Sequence, residues 1–308
     1  MEKCALITGV GGQDGHYLSQ LLLSKNYRVV GMGIQKANLG LEYIECNISE
    51  KEKVTAAIRD LHPDEIYNLA GISSIRIAES NPELATAVNS KGVSNIIEAI
   101  RTHAPHCRLF QASSAYIFAP SMEKKTEDSP VGPQTTYGKT KLQAQLAVKK
   151  AREDGIFACS GILFNHESAL RTEDFVTRKV SKAAAQFALG KRSAPLMLGD
   201  MDAVRDWGFA GDYVEAMWMM LQAKAPKDYI IATGIAHSVR ELCRKAFECV
   251  ELDYAKYTAA DPQLAARKEG NLHVGDPSLI KKELNWRAKT SFEELVEMMV
   301  KEDLKNLG

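Results

Sequence analysis

The chain has 308 residues, 45% of them hydrophobic and 25% charged, which is enough apolar material for a sizeable core. Lysines and arginines together number 39, as do aspartates and glutamates together, so no excess charge predicts a nucleic acid or an anionic membrane as partner. The six cysteines form no CxxC pair and no cluster with histidines, which favours reduced, buried thiols over disulfides or a metal site.

No segment suggests export or a membrane span. The first residues, MEKCALITGV, enter a strand-like run at once and leave no room for a signal peptide. No apolar run reaches the roughly 18 residues that a membrane span requires. Together with the reduced cysteines, this pattern predicts a cytoplasmic protein with no membrane partner.

The first half of the chain alternates two kinds of segment. Amphipathic helical segments such as GHYLSQLLLSK (15–25) separate apolar runs that are rich in β-branched residues and typical of strands buried on both faces. The apolar runs are CALITG (4–9), YRVVGM (27–32), EIYNLAG (65–71), RLFQAS (108–113) and FACSGILF (157–164). Repeated βα units predict an α/β fold with a doubly wound parallel sheet. From about residue 165 helices dominate, with one more strand, DYIIATG (228–234).

A glycine-rich loop, TGVGGQDG (8–15), follows the first strand and opens the first helix. Glycine lets the backbone turn tightly and approach a pyrophosphate, which the helix N-terminus then stabilises. The spacing of Gly9, Gly12 and Gly15, with Gln13 and Asp14 between them, therefore predicts a dinucleotide site.

The end of the second strand, GMGIQK (31–36), bears on the choice between NAD and NADP. Gly33 stands where an acid would bind the ribose 2′-hydroxyl, and Lys36 is the only nearby cation. An unpaired hydroxyl can be solvated, whereas a 2′-phosphate without cations loses more. The sequence therefore predicts an NAD(P) cofactor, with NAD favoured and Lys36 beside it.

The segment TTYGKTK (135–141) places Tyr137 and Lys141 on one face of a helix. A phenol near pKa 10 needs help to lose its proton at neutral pH, and an ammonium one turn away supplies it. Ser114, at the end of the fourth apolar run, can bond the same substrate oxygen. Such a pair alone is often a surface feature. With the glycine loop and Ser114, it predicts hydride transfer at a carbinol.

Long motifs along the chain resemble the extended short-chain dehydrogenase/reductase family, and more narrowly its GDP-mannose 4,6-dehydratase group. They include ITGVGGQDGHYL (7–18), FNHESALR (164–171), FVTRK (175–179), LGDMDAVRDWGFAGDYVEAMW (198–218) and VGDPSLIKKELNWRAKTSFEELVEMMV (274–300). The resemblance implies a Rossmann dinucleotide-binding domain over residues 1–164. It also implies a smaller C-terminal, substrate-binding cap over residues 165–308, with a strand near residues 228–233 returning to the sheet.

The resemblance also implies individual positions in the two sites. The expected cofactor contacts are Asn47, Ile48, Leu69, Ala70, Gly71 and His166, beside the residues already named. The expected contacts with a GDP-sugar are Ser73, Asn165, Val176, Lys179, Arg205, Arg267 and Glu269. Arg267 lies one position beyond the place of a family arginine, where this chain has Ala266.

One departure concerns the dehydration chemistry. The dehydratases have Thr-Ser-Glu at the end of the strand, and this chain has Ser114, Ala115 and Tyr116. The reference pKa of a phenol is about six units above that of a carboxyl. In related epimerases a cysteine or a threonine stands at this place. Tyr116 is therefore a substrate contact, an acid/base residue or a packing residue, and dehydration is expected to be minor.

The favoured prediction is an enzyme that acts at C4 of a GDP-hexose or related GDP-sugar, as a 4-dehydrogenase, a 4-ketoreductase or an epimerase. One alternative is a GDP-mannose 4,6-dehydratase with an altered acid/base set, and another is a non-catalytic NAD(P)-binding regulatory protein. Intact Ser114, Tyr137 and Lys141 disfavour the last. The short segment GIQKANLGLEY (33–43) predicts a homodimer without the tetramer contact of the dehydratases.

Overall fold

The computed structural model describes residues 2–36, 39–261 and 272–308. The strands are β1 (Cys4–Thr8), β2 (Arg28–Gly33), β3 (Glu42–Glu45), β4 (Glu65–Asn68), β5 (Arg108–Ala112), β6 (Ala158–Leu163), β7 (Asn165–Glu167), β8 (Leu196–Leu198), β9 (Val204–Arg205), β10 (Trp207–Phe209), β11 (Tyr229–Ile231), β12 (His237–Ser238) and β13 (Thr258–Ala260). The helices are α1 (Gln13–Ser24), α2 (Lys51–Leu61), α3 (Ile75–Ser80), α4 (Pro82–Thr86), α5 (Gly92–His103), α6 (Thr136–Glu153), α7 (Val176–Ala188), α8 (Ala210–Gln222), α9 (Val239–Glu248), α10 (Ser278–Leu284) and α11 (Phe292–Leu307).

Within the described ranges, seven strands form one parallel sheet in the order β11-β6-β5-β4-β1-β2-β3. The chain starts at β1 in the middle and winds outward in both directions, so the predicted doubly wound α/β sheet is confirmed. Its carboxyl edge opens a crevice beside β1, where the direction of winding reverses. The sequence analysis missed β3, because its residues Glu42–Glu45 are half exposed and carry a charge at each end. It also predicted one strand after residue 165, whereas the part of the chain that the structure describes has six further short ones of two or three residues, paired as β10 with β7, β12 with β9 and β13 with β8.

Helices cover both faces of the sheet. Val54 and Ile58 of α2 pack with residues of α5 and α6 against one face, and Leu18 and Leu22 of α1 pack with residues of α8 against the other. Burying such a side chain stabilises the fold by roughly 1.5–3 kcal/mol. None of the helices in the described residues is long and apolar enough to cross a membrane.

The C-terminal part has a core of its own. Helices α7, α9 and α11 pack around side chains that include Val180, Phe247 and Val296. Two of these helices, α9 and α11, begin with capping boxes, formed by Ser238 with Glu241 and by Ser291 with Glu294. These capping boxes define where the two helices start. We call the part formed by α7, α9 and α11 with the short strands β8, β9, β12 and β13 the cap.

Asp206, between β9 and β10, connects the cap to the sheet. Its buried carboxylate accepts hydrogen bonds from the Thr233 amide at 2.9 Å, the Thr233 hydroxyl at 2.6 Å and the Gly234 amide at 2.9 Å, just after β11. Its own amide donates to the carbonyl of His273 at 3.0 Å. Burial raises the pKa of the Asp206 carboxyl, and these hydrogen bonds oppose that shift. The cap strand β9 is therefore fixed near the carboxyl edge of the sheet.

Replacing Asp206 with alanine is expected to lower the free energy of unfolding by about 2–4 kcal/mol, because buried donors lose a charged acceptor. Equilibrium urea unfolding measures this loss. Asp202→Ala is the matched control, since the Asp202 side chain is 76% exposed and pairs with Arg240 at the surface. The control should lose at most about 1 kcal/mol. Equal losses for the two variants would contradict the role given to Asp206.

Candidate functional site

A cleft of about 480 Å³ lies between the carboxyl edge of the sheet and the cap. Its walls contain many residues that the sequence predicted for the cofactor, the chemistry and the substrate. Those predicted residues are Asp14, Leu69, Gly71, Ser73, Ser114, Tyr116, Tyr137, Lys141, Asn165, His166, Val176, Lys179 and Arg205. Arg267 and Glu269 lie outside the described residues.

The glycine loop follows β1 and contributes Asp14 to the wall of the cleft. Gly9 has a φ of +67°, and a Cβ there would lie 2.8 Å from backbone atoms of Ala70. Gly12 is the N-cap of α1 and supplies no capping side chain. The first amides of an α-helix have no partner within the helix, so this end can bind an anion. The loop therefore fits the pyrophosphate of a dinucleotide.

Gln13 and Asp14 tie this loop to the segment that follows β6. The Gln13 amide donates to the His166 carbonyl at 2.8 Å, and Asp14 Oδ2 lies 2.8 Å from His166 Nε2. Burial disfavours the charged form of each group, but their mutual attraction prevails, lowering the pKa of Asp14 and raising that of His166. The second oxygen, Asp14 Oδ1, is buried and has no hydrogen-bond partner among the described residues. It is an acceptor suited to a cofactor group with a donor.

Asn47 and Ile48, for which the resemblance implies contact with the cofactor, both have contacts within the protein. The Asn47 side-chain oxygen accepts bonds from the Ser49 amide and hydroxyl at 3.0 and 2.9 Å, which holds it in a local turn. The Ile48 side chain is buried in the core, so mainly its backbone is available to a ligand. Lys36 is exposed. The Tyr43 hydroxyl donates to the Gln35 carbonyl at 2.6 Å and packs over Gly33 at the end of β2.

Ser114, Tyr137 and Lys141 meet where β5 ends against α6. Lys141 Nζ donates to the carbonyl of Ala112 at 3.0 Å and lies 5.8 Å from the centre of the Tyr137 ring. Burial raises the pKa of Tyr137, whereas a hydrogen bond with Ser114 and the charge of Arg171 oppose the rise. Burial lowers the pKa of Lys141 to about 8, against the charge of Asp14. A tyrosine, a serine and an amine are thus held together for proton transfer.

Local packing explains how α6 reaches this position. Thr135 caps the helix by accepting a bond from the Gly138 amide at 3.0 Å. A Cβ at Gly138 would overlap the Tyr116 carbonyl, so only glycine lets the strand end approach the helix this closely. On the other side, Asn89 donates to the Thr140 hydroxyl at 3.2 Å and to the Ile72 carbonyl at 3.1 Å. Asn89 therefore joins α6 to the loop after β4, a role that no sequence motif indicated.

Tyr116 lies beside Tyr137 in the wall of the cleft. Their ring centres are 5.8 Å apart in an edge-to-face arrangement. Three carboxylates line the cleft in the described residues. Asp14 pairs with His166 through one of its two oxygens, Glu167 pairs with Thr177 and Arg171, and Asp174 forms an exposed pair with Arg76 at 3.7 Å. No carboxylate of the described residues replaces the glutamate that the dehydratases have at the strand end.

The cap side of the cleft is cationic. Lys179 of α7 and Arg205 of β9, for which the resemblance implies contact with a GDP-sugar, both line it. Arg171 also lines it, 3.4 Å above the centre of the Phe175 ring, and forms an ion pair with Glu167 at 3.2 Å. The sequence analysis quoted Arg171 within the motif FNHESALR but assigned it no role. These cations suit a diphosphate.

The Lys141→Met variant is expected to have a higher free energy of unfolding than the wild type near pH 7, by up to roughly 3 kcal/mol, because the substitution removes a buried ammonium. The pKa of Lys141 falls from 10.5 to about 8 on folding. Between these values the unfolded chain holds the proton and the folded chain does not. The wild type therefore gains stability as the pH rises from about 8 to 10.5. The difference in free energy of unfolding between the variant and the wild type becomes smaller over the same range. Denaturation near pH 7 and near pH 9.5 tests this, and a less stable variant near pH 7 would contradict it.

Two solved structures of similar fold are UDP-glucose 4-epimerases. That of Thermotoga maritima with UDP-glucose has a TM-score of 0.88 at 18% identity and covers 99% of this chain and 100% of its own. That of Thermus thermophilus in complex with NAD has a TM-score of 0.86 at 22% identity and covers 97% and 98%. At these identities the likeness shows the fold.

The sequence comparisons are more specific. The family model for GDP-mannose 4,6 dehydratase matches residues 6–299. GDP-mannose 4,6 dehydratase 2 of Arabidopsis thaliana is 37% identical over 98% of this chain and 87% of its own length. The resemblance inferred from the motifs is thereby confirmed. The chain belongs to the GDP-mannose 4,6-dehydratase family, within the extended short-chain dehydrogenases/reductases.

Proposed function

We propose that this protein is an NAD(P)-dependent GDP-mannose 4,6-dehydratase with an altered acid/base set. The observation behind this proposal is the Ser114, Tyr137 and Lys141 group in a cleft with a cationic cap wall. The family favours dehydration over the simpler C4 oxidoreduction that the sequence analysis preferred. The family members are named as enzymes, so the non-catalytic alternative has no support.

The residues of this chain have separate parts in the first step. Tyr137 takes the proton of the C4 hydroxyl, Ser114 bonds the same oxygen, and Lys141 stabilises the phenolate of Tyr137. The nicotinamide, when bound, supplies the hydride acceptor and donor that leave the whole conversion redox-neutral. Lys179 and Arg205 hold the diphosphate, so the hexose is directed towards Tyr137. This step is common to dehydration and to C4 oxidoreduction.

NAD is the favoured cofactor in this proposal, because β2 ends at Gly33 with no acid or arginine after it through Lys36. A homodimer also stays part of the proposal, since the connection between β2 and β3 is short. The ratio of kcat/KM for NAD and NADP would test the first point, and sedimentation in solution would test the second.

C4 oxidoreduction without water loss is the second candidate. The observation in its favour is Tyr116, a phenol at the place where the dehydratases have a glutamate. Loss of a general acid/base costs about 10²- to 10⁴-fold in rate. If nothing replaces that glutamate, the reaction stops at the 4-ketone or returns to a 4-hydroxyl.

The mass of the product from GDP-mannose distinguishes the two candidates. We expect the wild type with NAD to yield a sugar lighter by one water. Loss of two hydrogens, or an unchanged mass with hydride exchange, would favour the second candidate instead. Tyr137→Phe should keep cofactor binding and lower turnover by at least about 10²-fold. Turnover near the wild-type level in that variant would contradict the role of Tyr137 in both candidates.

Arg205→Ala should weaken GDP binding by roughly tenfold or more, because a charge-assisted bond to the diphosphate is lost. Titration calorimetry with GDP measures the affinity. The control is Arg240→Ala, a cap arginine whose side chain is 50% exposed and pairs with Asp202 outside the cleft. Equal affinities for wild type and Arg205→Ala would assign Arg205 to the cap structure alone.

A further inference from the structure

His273 belongs to no motif that predicted chemistry, yet it lies against the cleft residue Tyr116. The centres of the His273 and Tyr116 rings are 5.0 Å apart, with the ring planes inclined by 37°. His273 is only 8% exposed. An imidazole therefore covers one side of the phenol, while the ring of Tyr137 covers another.

The backbone on both sides of this contact is held firmly. The His273 carbonyl accepts a hydrogen bond from the Asp206 amide at 3.0 Å, and the backbone of His273 forms an isolated β-bridge with that of Arg205 in β9. The Tyr116 amide donates to Ser114 Oγ at 3.3 Å, and the Tyr116 carbonyl packs against Gly138. The contact thus joins the strand end that bears Ser114 to the cap strand that bears Arg205.

This arrangement alters what Tyr116 can do. An isolated phenol is a poor base at neutral pH, because its reference pKa is about 10. A group that can carry a positive charge favours the ionised form of a neighbouring phenol, and the imidazole of His273 lies against the Tyr116 ring. The carboxylates of the described cleft are engaged by His166, by Arg171 and Thr177, or by Arg76. Besides Ser114 and Lys141, Tyr116 is a further side chain next to Tyr137 that can exchange a proton.

We propose that Tyr116 transfers the proton at C5 of the 4-keto sugar and that His273 is the positioning residue that supports it. The inference rests on the proposed dehydration and names the residues that replace the glutamate of the family. Tyr116 is the catalytic residue, since it lines the cleft. His273 acts through Tyr116, because it lies behind the phenol rather than among the residues that line the cleft.

The proposed step conserves atoms and charge. The C5–H bond breaks and its proton passes to the ionised oxygen of Tyr116. The electron pair of that bond first forms an enolate with the C4 carbonyl. It then forms the C5=C6 double bond as the C6–O bond breaks and the C4 carbonyl is restored. The C6 hydroxyl leaves as water with the proton that Tyr116 received. Ser114 and Tyr137 hydrogen-bond the C4 carbonyl oxygen and stabilise the negative charge that develops there.

Reaction in D₂O separates this step from C4 oxidation. Deuterium at C5 and loss of water report the proton transfer, and cofactor reduction in a single turnover reports the C4 step. Tyr116→Phe should lower C5 deuteration and water loss by at least about 10²-fold relative to cofactor reduction. His273→Phe keeps a ring at that place and should lower the same ratio by about tenfold, as when one favourable neighbouring charge is lost.

The chain offers matched controls for both substitutions. Tyr257→Phe changes a tyrosine of the cap core, and His237→Phe changes a histidine that stacks on Phe292 outside the cleft. Both controls should keep the wild-type ratio. His273→Gln, with its thermal unfolding measured, is the second variant in case His273→Phe does not fold. A purely structural role for His273 would lower the two steps together and leave their ratio unchanged.

Each outcome decides between the two proposals. Water loss by the wild type with an unchanged ratio in Tyr116→Phe would overturn this inference and keep the dehydratase proposal. If both His273 variants keep the wild-type ratio of C5 deuteration and water loss to cofactor reduction, His273 does not support the proton transfer by Tyr116. Deuterium at C5 without water loss, abolished in Tyr116→Phe, would support Tyr116 and overturn dehydration. Cofactor reduction with neither water loss nor deuteration would overturn both proposals.

Discussion

The hydrogen bond from Lys141 to the carbonyl of Ala112 is the contact on which the site depends. It brings an ammonium out of water and places it at the end of β5, so α6 is held against the strand that continues into Ser114. Burial makes this placement costly, as the lowered pKa of Lys141 shows. A stable fold accepts such a cost where function requires the group. The large apolar core on both faces of the sheet offsets it.

The distance between the cap and the end of β5 is set by Asp206. Its bonds to Thr233 and Gly234 connect β9 to the strand β11 of the sheet. The neighbouring Arg205 then faces the cleft, and the bonded His273 lies against Tyr116. One buried carboxylate therefore sets the positions of Arg205 and His273, the residues that we propose bind the substrate and support proton transfer.

The altered strand end has a different meaning in the sequence and in the structure. In the sequence alone, the residues Ser114, Ala115 and Tyr116 indicate that a carboxylate is lost and that dehydration is weak. In the fold, the phenol lies between Tyr137 and His273. Family membership and this contact together favour an enzyme that keeps the reaction of its relatives with a different proton-transfer group.

The sequence by itself determined the doubly wound sheet, the glycine loop and the spacing of Tyr137 and Lys141, because these features depend on neighbours within one helical turn or one βα unit. It missed β3, where the half-exposed residues of Glu42–Glu45 lack an apolar run. Only the tertiary structure decided the contacts of Asp14 with His166, of Asp206 with Thr233 and of Tyr116 with His273. Each of these joins segments far apart in the chain, and their proximity follows from the packing of the cap on the sheet rather than from any local pattern.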